Sequence, residues 1–426
     1  MDKVVVAVVP LSAVRPADIA KAAAACGHAP VFVATAGALD PGEKAEYAGF
    51  GPVVECDPDR LVDVVALLRS HAPAAITTFS EGMVPTTGEL AEGLGLPYHD
   101  RDTVTALTDK WVQRRRLAEH GVDAVWSALV TSRREALEVL ESRSGPMVVK
   151  PKRSQSSRDT YLVPAPDRLP AELVPTAERP FVLEEFLSGR DEGEFGDYVS
   201  VESIVVDGDP FTLGVTGKFP LLTPFREQGQ FVPTHLPAAE CDEVARLASA
   251  AVQALGVRRG LVHTEIKLTS GGPRIIEVNG RIGGFIGELY QRATGQDLLE
   301  LGIAVACGQS VSPRAAGLSG PVRFQFANLP PLAGGVLREV RGAERVRREP
   351  GVVDYSARVA VGAKLPPGVM TYFLDLLRGG APDHQAMFAT IDHCLAHLRF
   401  MFEQPDGAVG HWQAARNGLH PVTDDR

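Results

Sequence analysis

His263-Thr264-Glu265-Ile266-Lys267-Leu268, then Thr269-Ser270-Gly271-Gly272-Pro273, then Arg274-Ile275-Ile276-Glu277-Val278-Asn279-Gly280-Arg281 is the stretch that decides the reading of this chain. Side chains alternate faces along a strand, so His263, Glu265 and Lys267 share one face, as do Glu277, Asn279 and Arg281. Gly271-Gly272-Pro273 is a turn signal and makes the stretch a hairpin. With the turn centred near Gly271, Glu265 faces Glu277 and His263 faces Asn279. Like charges placed opposite each other are destabilising. A chain tolerates the arrangement most readily around a cation, and removal of either carboxylate is expected to relieve repulsion in the metal-free protein. Two carboxylates and an amide are hard oxygen ligands that suit Mg²⁺, an ion that also binds substrate phosphates. Arg281, two residues past Asn279, is placed to clamp an anion held by the metal. The plain alternative is the solvated polar face of an ordinary hairpin.

The chain has 426 residues, enough for two to four structural units. Hydrophobic residues at 45% and charged residues at 23% fit a globular protein with a core of its own. The net charge of −10 argues against nucleic-acid and anionic-membrane partners, which want a basic face. The five cysteines, Cys26, Cys56, Cys241, Cys307 and Cys394, are scattered and form no CxxC. A disulfide framework is therefore not expected, and a reducing cytoplasm is. The apolar run 4–9 is too short for a signal peptide and reads as a buried strand. No run reaches membrane-spanning length.

Residues 1 to about 100 alternate strand and helix: strands at 4–9, 31–34 and 75–78, helices at 17–25, 61–70 and 85–94. That pattern predicts a parallel sheet covered on both faces. No GxGxxG follows the first strand, so a dinucleotide fingerprint is missing. Residues 109–121 read as a basic helix, 148–150 as a short strand ending in Lys150, 181–187 and 198–206 as strands. Helices are expected over 242–255, 287–306 and 382–402, with short strands from 321 and a loose polar tail over the last two dozen residues. The expected fold is α/β, in four parts: 1–100, a parallel α/β domain; 101–180 and 181–320, two lobes of a nucleotide-binding unit; and 321–426, a β-rich C-terminal domain.

Lys150 ends a strand and precedes Pro151-Lys152-Arg153-Ser154-Gln155-Ser156-Ser157-Arg158. A basic loop of small residues after a strand suits a phosphate, because backbone N–H groups and hydroxyls converge on the anion. The run Glu184-Glu185-Phe186-Leu187 could offer one N–H and one C=O to a flat base. Each feature alone is weak. Their order is not: Asp109-Lys110, Val149-Lys150-Pro151, Glu184-Glu185-Phe186-Leu187-x-Gly189, Asp197-Tyr198-Val199-Ser200-Val201-Glu202, Lys218, the His-Thr-Glu-Ile-Lys strand, and Glu277-Val278-Asn279-Gly280-Arg281-Ile282-Gly283-Gly284.

This series resembles the ATP-grasp superfamily of carboxylate–amine ligases, and within it the L-amino-acid ligases of the bacilysin-synthetase type, over about residues 1–310. The resemblance implies an ATP-grasp fold and an ADP-forming ligase that makes an amide or peptide bond through an acyl phosphate, in a secondary-metabolite pathway such as antibiotic biosynthesis. It implies ATP and two Mg²⁺ as cofactors, with Mn²⁺ an alternative, small-molecule carboxylate and amine substrates, and a homodimer as a common state. Carried over residue by residue, Lys110 and Lys150 would contact ATP phosphates, and Ser156 and Ser157 would lie in the loop that closes over them. Glu184, Glu185, Phe186 and Leu187 would hold the adenine. Glu265 and Glu277 would bind metal, assisted by Asn279. Arg281 would hold the substrate carboxylate and the oxyanion, with Lys218 and Lys267 the next cations for the acyl phosphate. Glu227 would lie near the substrate amine.

The sequence departs from the family at three places. Ser154-Gln155-Ser156-Ser157 and Asp159 stand where glycines are usual. The loop 190–196 is long and acidic, leaving Glu192, Glu194 and Asp197 as candidates for the ribose carboxylate. Gln230 stands where bacilysin synthetase has a histidine, which implies a different substrate. Two other enzyme and non-enzyme readings share the fold: a carboxylase or ribonucleotide-pathway ligase, and a nucleotide-binding scaffold without turnover. His263 is as well read as a satisfied core histidine as a site residue. His393 and His397 stand i,i+4 on a helix and read as a helix face rather than a metal pair.

Overall fold

The structure, a computed structural model, describes residues 3–9 and 14–422. Strands β1 (Lys3–Val9), β2 (His28–Thr35), β3 (Val53–Cys56) and β4 (Pro73–Thr78) form a parallel sheet in the order β3-β2-β1-β4. The unbroken apolar run of β1 has a reason: Val5, Ala7 and Val9 pack into one core and Val6 and Val8 into another. A strand buried on both faces has no polar side to alternate. The first of these cores also takes in Leu298, Leu301 and Ile303 of the helix Leu298–Ala306. The parallel domain is thereby fixed against the part of the chain that carries the hairpin over 260–279.

Strands β5 (Ser127–Val130), β6 (Met147–Pro151), β7 (Tyr161–Val163) and β8 (Phe181–Glu185) make an antiparallel sheet in the order β5-β8-β6-β7. The central sheet has eight strands. β9 (Tyr198–Val206), β10 (Asp209–Lys218), β11 (Gly229–Val232), β12 (Gly260–Thr269) and β13 (Gly272–Asn279) are joined by three later ones. Of the strands β14 (Val322–Phe326), β15 (Gly335–Arg341), β16 (Val352–Ala357), β17 (Lys364–Leu365) and β18 (Asp375–Ala381), the even-numbered three complete the order β13-β12-β9-β10-β11-β14-β18-β16. Strands from both sides of residue 320 thus share one sheet. A fourth sheet, β17-β15-β19-β20-β21, adds β19 (Arg399–Glu403), β20 (Val409–Ala415) and β21 (Gly418–Val422).

Three expectations are corrected. The helix expected over 287–306 is two, Ile286–Thr294 and Leu298–Ala306. Gly295 ends the first with φ 73, and Asp297 caps the second by accepting from Leu299 N–H (2.9 Å). The closing helix runs only over His384–His397; Arg399–Glu403 alternates exposed and buried residues, with Phe400 and Phe402 inside, and is a strand. The tail expected to be loose forms the hairpin β20–β21, paired with β19 through Phe400 and Trp412. Its last residues, 423–426, lie outside the described residues. Among the described residues no helix is long and apolar enough to cross a membrane.

Candidate active site

The hairpin β12–β13 has the expected facing pairs, Glu265 opposite Glu277 and His263 opposite Asn279. The path to that register differs from a simple turn. Thr269 pairs with Gly272 and Ile266 with Ile275, so an unbroken ladder would set Glu265 against Ile276. A bulge at Ile276 adds one residue and brings Glu277 into place. Bulges are a recurrent means of re-aiming side chains beside active sites.

Neither carboxylate is bare. Lys110 begins the helix Lys110–Glu119, whose N-cap Asp109 accepts from Trp111 and Val112 N–H. Its Nζ lies 2.5 Å from Glu277 Oε1 and donates to Ser154 O (2.8 Å). Burial opposes the lysine's charge, but Glu277 and Glu81 outweigh it and the pKa is raised. Glu265 lies 3.4 Å from His263 Nε2, and the other ring nitrogen of His263 lies 2.9 Å from Glu202 Oε2. Burial alone would discharge that imidazole; Glu202 outweighs it and lifts its pKa to about 9. His263 is thus a paired, buried histidine in contact with the site. The simple repulsion expected from the sequence is replaced by two carboxylates that each lean on a cation.

Asn279 Oδ1 is buried and has no hydrogen-bond partner among the described residues. Leaving a buried acceptor unmade costs about 1–3 kcal/mol, and such groups call for an explanation. A bound cation would satisfy it. Among the described residues no three His, Cys, Asp or Glu side chains gather as a metal cage. Two carboxylates and one amide oxygen fit Mg²⁺ instead, which keeps positions for water and substrate phosphate.

The hairpin face opens on a cleft of about 780 Å³. Of the residues expected in a site, Lys110, Lys150, Ser156, Ser157, Glu184, Glu185, Phe186, Leu187, Lys218, Glu227, Glu265, Glu277, Asn279 and Arg281 all line it. Glu192 and Glu194 do not: Glu192 sits between Arg190 and His235, and Glu194 pairs with Arg416 (2.8 Å). Asp197 is turned to Lys267 (2.6 Å). The acidic loop therefore places neither Glu192 nor Glu194 at the cleft wall, because other cations hold both.

At one end Glu184 accepts both arms of Arg114 (3.0 and 2.9 Å) and lies 2.8 Å from Lys150 Nζ. Burial works against its charge, yet Arg114 and Lys150 hold its pKa down to about 2. Lys150 is pushed the other way: burial lowers its pKa and Glu184 only partly offsets this. Arg114 was not among the expected site residues. Its spacing of four from Lys110 puts both on one helix face, which is a legible signal. Nearer the hairpin, Arg281 Nη2 lies 2.7 Å from Glu81 Oε2. Glu81 follows β4 of the parallel domain, at the carboxyl end of a strand where open α/β sheets hold ligands. Lys218, almost fully buried, reaches Glu227 (3.2 Å) and Gln230 (3.1 Å), and Tyr198 OH also contacts Glu227 (3.2 Å). His397 rests on Glu349 (3.1 Å), far along the chain from this cleft wall. The arrangement can hold a polyanion along a cationic wall, bind a divalent cation, and set an arginine and a carboxylate beside it.

Residues 107–285 match the family profile described as the ATP-grasp domain. The chain is 28% identical over 266 residues to an alanine–anticapsin ligase of Bacillus subtilis (strain 168), which takes in 57% of this chain and 56% of that one. It is 31% identical over 172 residues to carnosine synthase 1 of Gallus gallus, 38% of this chain and 18% of that one. The chain thus spans about half the length of the first relative and less than a fifth of the second. A solved L-amino acid ligase from Bacillus licheniformis shares the fold with a TM-score of 0.79 at 21% identity, over 95% of this chain and 99% of that one.

Proposed function

We propose that this chain, which carries an ATP-grasp domain and resembles the L-amino-acid ligases, is an ATP-dependent carboxylate–amine ligase. It joins an amino acid to an amine or to a second amino acid, by way of an acyl phosphate. One observation carries the reading. The bulged hairpin brings Glu265, Glu277 and the unpartnered Asn279 Oδ1 to the same cleft as Lys110, Arg281, Lys218 and Glu227.

In this reading Lys110 and Lys150 bind the ATP phosphates, and Phe186 and Leu187 line the adenine end. Glu265, Glu277 and Asn279 hold Mg²⁺, which when bound neutralises charge on the transferring phosphoryl group. Arg281, oriented by Glu81, holds the substrate carboxylate as its oxygen attacks the γ-phosphorus, and then the oxyanion that forms when the amine attacks. Glu227 faces the amine. A fork of N–H donors matches a planar carboxylate, so arginine suits that role. The tie of Glu184 to Arg114 and Lys150 makes it a support for the phosphate wall, leaving adenine contact to its neighbours. A secondary-metabolite setting, a cytoplasmic location and a homodimer complete the reading and rest on the resemblance. A panel of amino acids and small amines, screened for Mg²⁺-dependent ADP release with mass detection of product, tests it. ATP binding with no turnover for any pair favours a scaffold instead.

A further inference from the structure

The loop between β6 and β7 is tied to the other end of the cleft by a strap, residues 369–373. We propose that Thr371 in this strap is a positioning residue that couples closure of the phosphate loop to the placing of Glu227. The strap is pinned at both ends: Gly368 N–H donates to Leu332 O and Leu374 N–H to Asn328 O, each at 2.9 Å. Between the pins it pairs with the loop. Asp159 N–H donates to Val369 O (3.0 Å), Thr371 N–H donates to Ser156 O (2.8 Å), and Arg158 Nη2 lies 3.4 Å from Met370 Sδ. The Thr371 hydroxyl accepts from Glu227 N–H (3.1 Å). One residue therefore holds the loop with its backbone and Glu227 with its side chain. Two residues on, Phe373 stacks on Phe285, four residues past Arg281.

The loop needs that hold. Ser156, Ser157 and Asp159 lie at φ 57, 53 and 53, a region uncommon for residues with a side chain. Such conformations persist only where the surroundings over-determine them. Glycines in these places would need no outside support; here the bonds to the strap supply it. Opening the loop breaks them and frees Thr371, and with it Glu227. Conversely, an amine seated against Glu227 steadies the strap and keeps the loop shut. Closure then answers to the second substrate, which limits loss of the acyl phosphate to water. In that loss a water oxygen attacks the acyl carbon, the carbon–oxygen bond to phosphate breaks, and carboxylate and phosphate leave.

The consequence for catalysis rests on the ligase reading; the coupling itself does not. Hydrogen exchange of the full chain without ligand, read at residues 153–160, compares wild type with Thr371→Val and Thr371→Ser. Valine keeps the shape and removes the hydroxyl; serine keeps the hydroxyl. The valine variant should exchange about tenfold faster there and the serine variant within about twofold of wild type. Exchange unchanged in the valine variant, or equally fast in both, overturns the proposal. If valine lowers the melting temperature of the whole chain, Thr371→Ala is compared with serine on the same terms. For any amino-acid pair that ligates, ADP released per amide should rise severalfold with valine and stay near wild type with serine; an unchanged ratio also overturns the coupling. If no pair ligates, the ligase reading fails while the exchange measurement still decides the strap.

Discussion

Lys110 Nζ lies 2.5 Å from Glu277 Oε1, so the first residue of a helix closes directly on strand β13. This pair reverses the sign of one expectation. Two facing glutamates suggest that Glu277→Ala relieves repulsion. With Lys110 buried against Glu277, the same change strands a buried ammonium with Ser154 O as its remaining direct acceptor among the described residues. Metal-free stability should fall by about 2 kcal/mol, and Mg²⁺-dependent nucleotide binding should be lost with it. Urea unfolding in the presence of a chelator checks the first part. A variant as stable as wild type contradicts it.

Glu184→Ala should be the more damaging change to the fold. It leaves Arg114 and Lys150 buried without their shared carboxylate. Breaking a buried ion pair from one side costs about 3–5 kcal/mol, moderated here because Arg114 also donates to Ile275 O and Ile276 O. Glu184→Gln should recover part of the loss. Denaturant melts of both variants decide it; a melt for Glu184→Ala within error of wild type shows that the cluster is not a support.

The C-terminal part of the central sheet should carry a pH dependence of its own. Asp375 is buried, and burial pushes its pKa up from 3.8 to about 6, against hydrogen bonds from Asn328 N–H, Asn328 Nδ2 and Tyr355 OH. A raised carboxyl pKa means stability fully present below pH 3.8 and lost as pH rises through 6. Relative to Asp375→Asn, wild type should lose about 2 kcal/mol between pH 4 and 8. Paired urea titrations across that range measure the gap, and a gap independent of pH refutes the assignment.

Arg281→Lys should separate binding from chemistry. Lysine cannot copy the fork that meets both carboxylate oxygens. Nucleotide binding should persist while kcat for amide formation falls by about two orders of magnitude, as for loss of an oxyanion donor. Calorimetry beside product detection reads both. Joint loss of binding and product would make Arg281 a phosphate ligand; retention of both would make it structural, held by Glu81 for the fold alone.

The facing pair at Glu265 and Glu277 was legible because period-two alternation and a glycine turn fix faces. The bulge at Ile276 was not: an isoleucine between Ile275 and Glu277 has no local mark, and the bulge combined with a turn centred half a residue before Gly271 gives the same pairs as an unbulged turn at Gly271. The break after Thr294 was readable in Gly295 and Asp297, but apolar residues on both sides masked it. The strand at 399–403 shows in the alternation of Phe400 and Phe402, which a helical pattern extended too far had absorbed. Glu81 and Thr371 could not be read locally. Each is a single polar residue outside the strands, and only tertiary packing sets it beside Arg281 and Ser156. The acidic loop failed for the same reason: Arg416, more than two hundred residues on, decides where Glu194 goes.

The central claim is that a substrate carboxylate becomes an acyl phosphate in the cleft between Lys110, Arg281 and the bulged hairpin. The most direct measurement is ligation with an amino acid whose carboxylate carries heavy oxygen, followed by mass analysis of the phosphate released. Passage through an acyl phosphate predicts one labelled oxygen in each phosphate released with the amide, only when Mg²⁺ and ATP are present, and none with Glu277→Ala. ADP-forming turnover that yields amide with unlabelled phosphate would contradict the account.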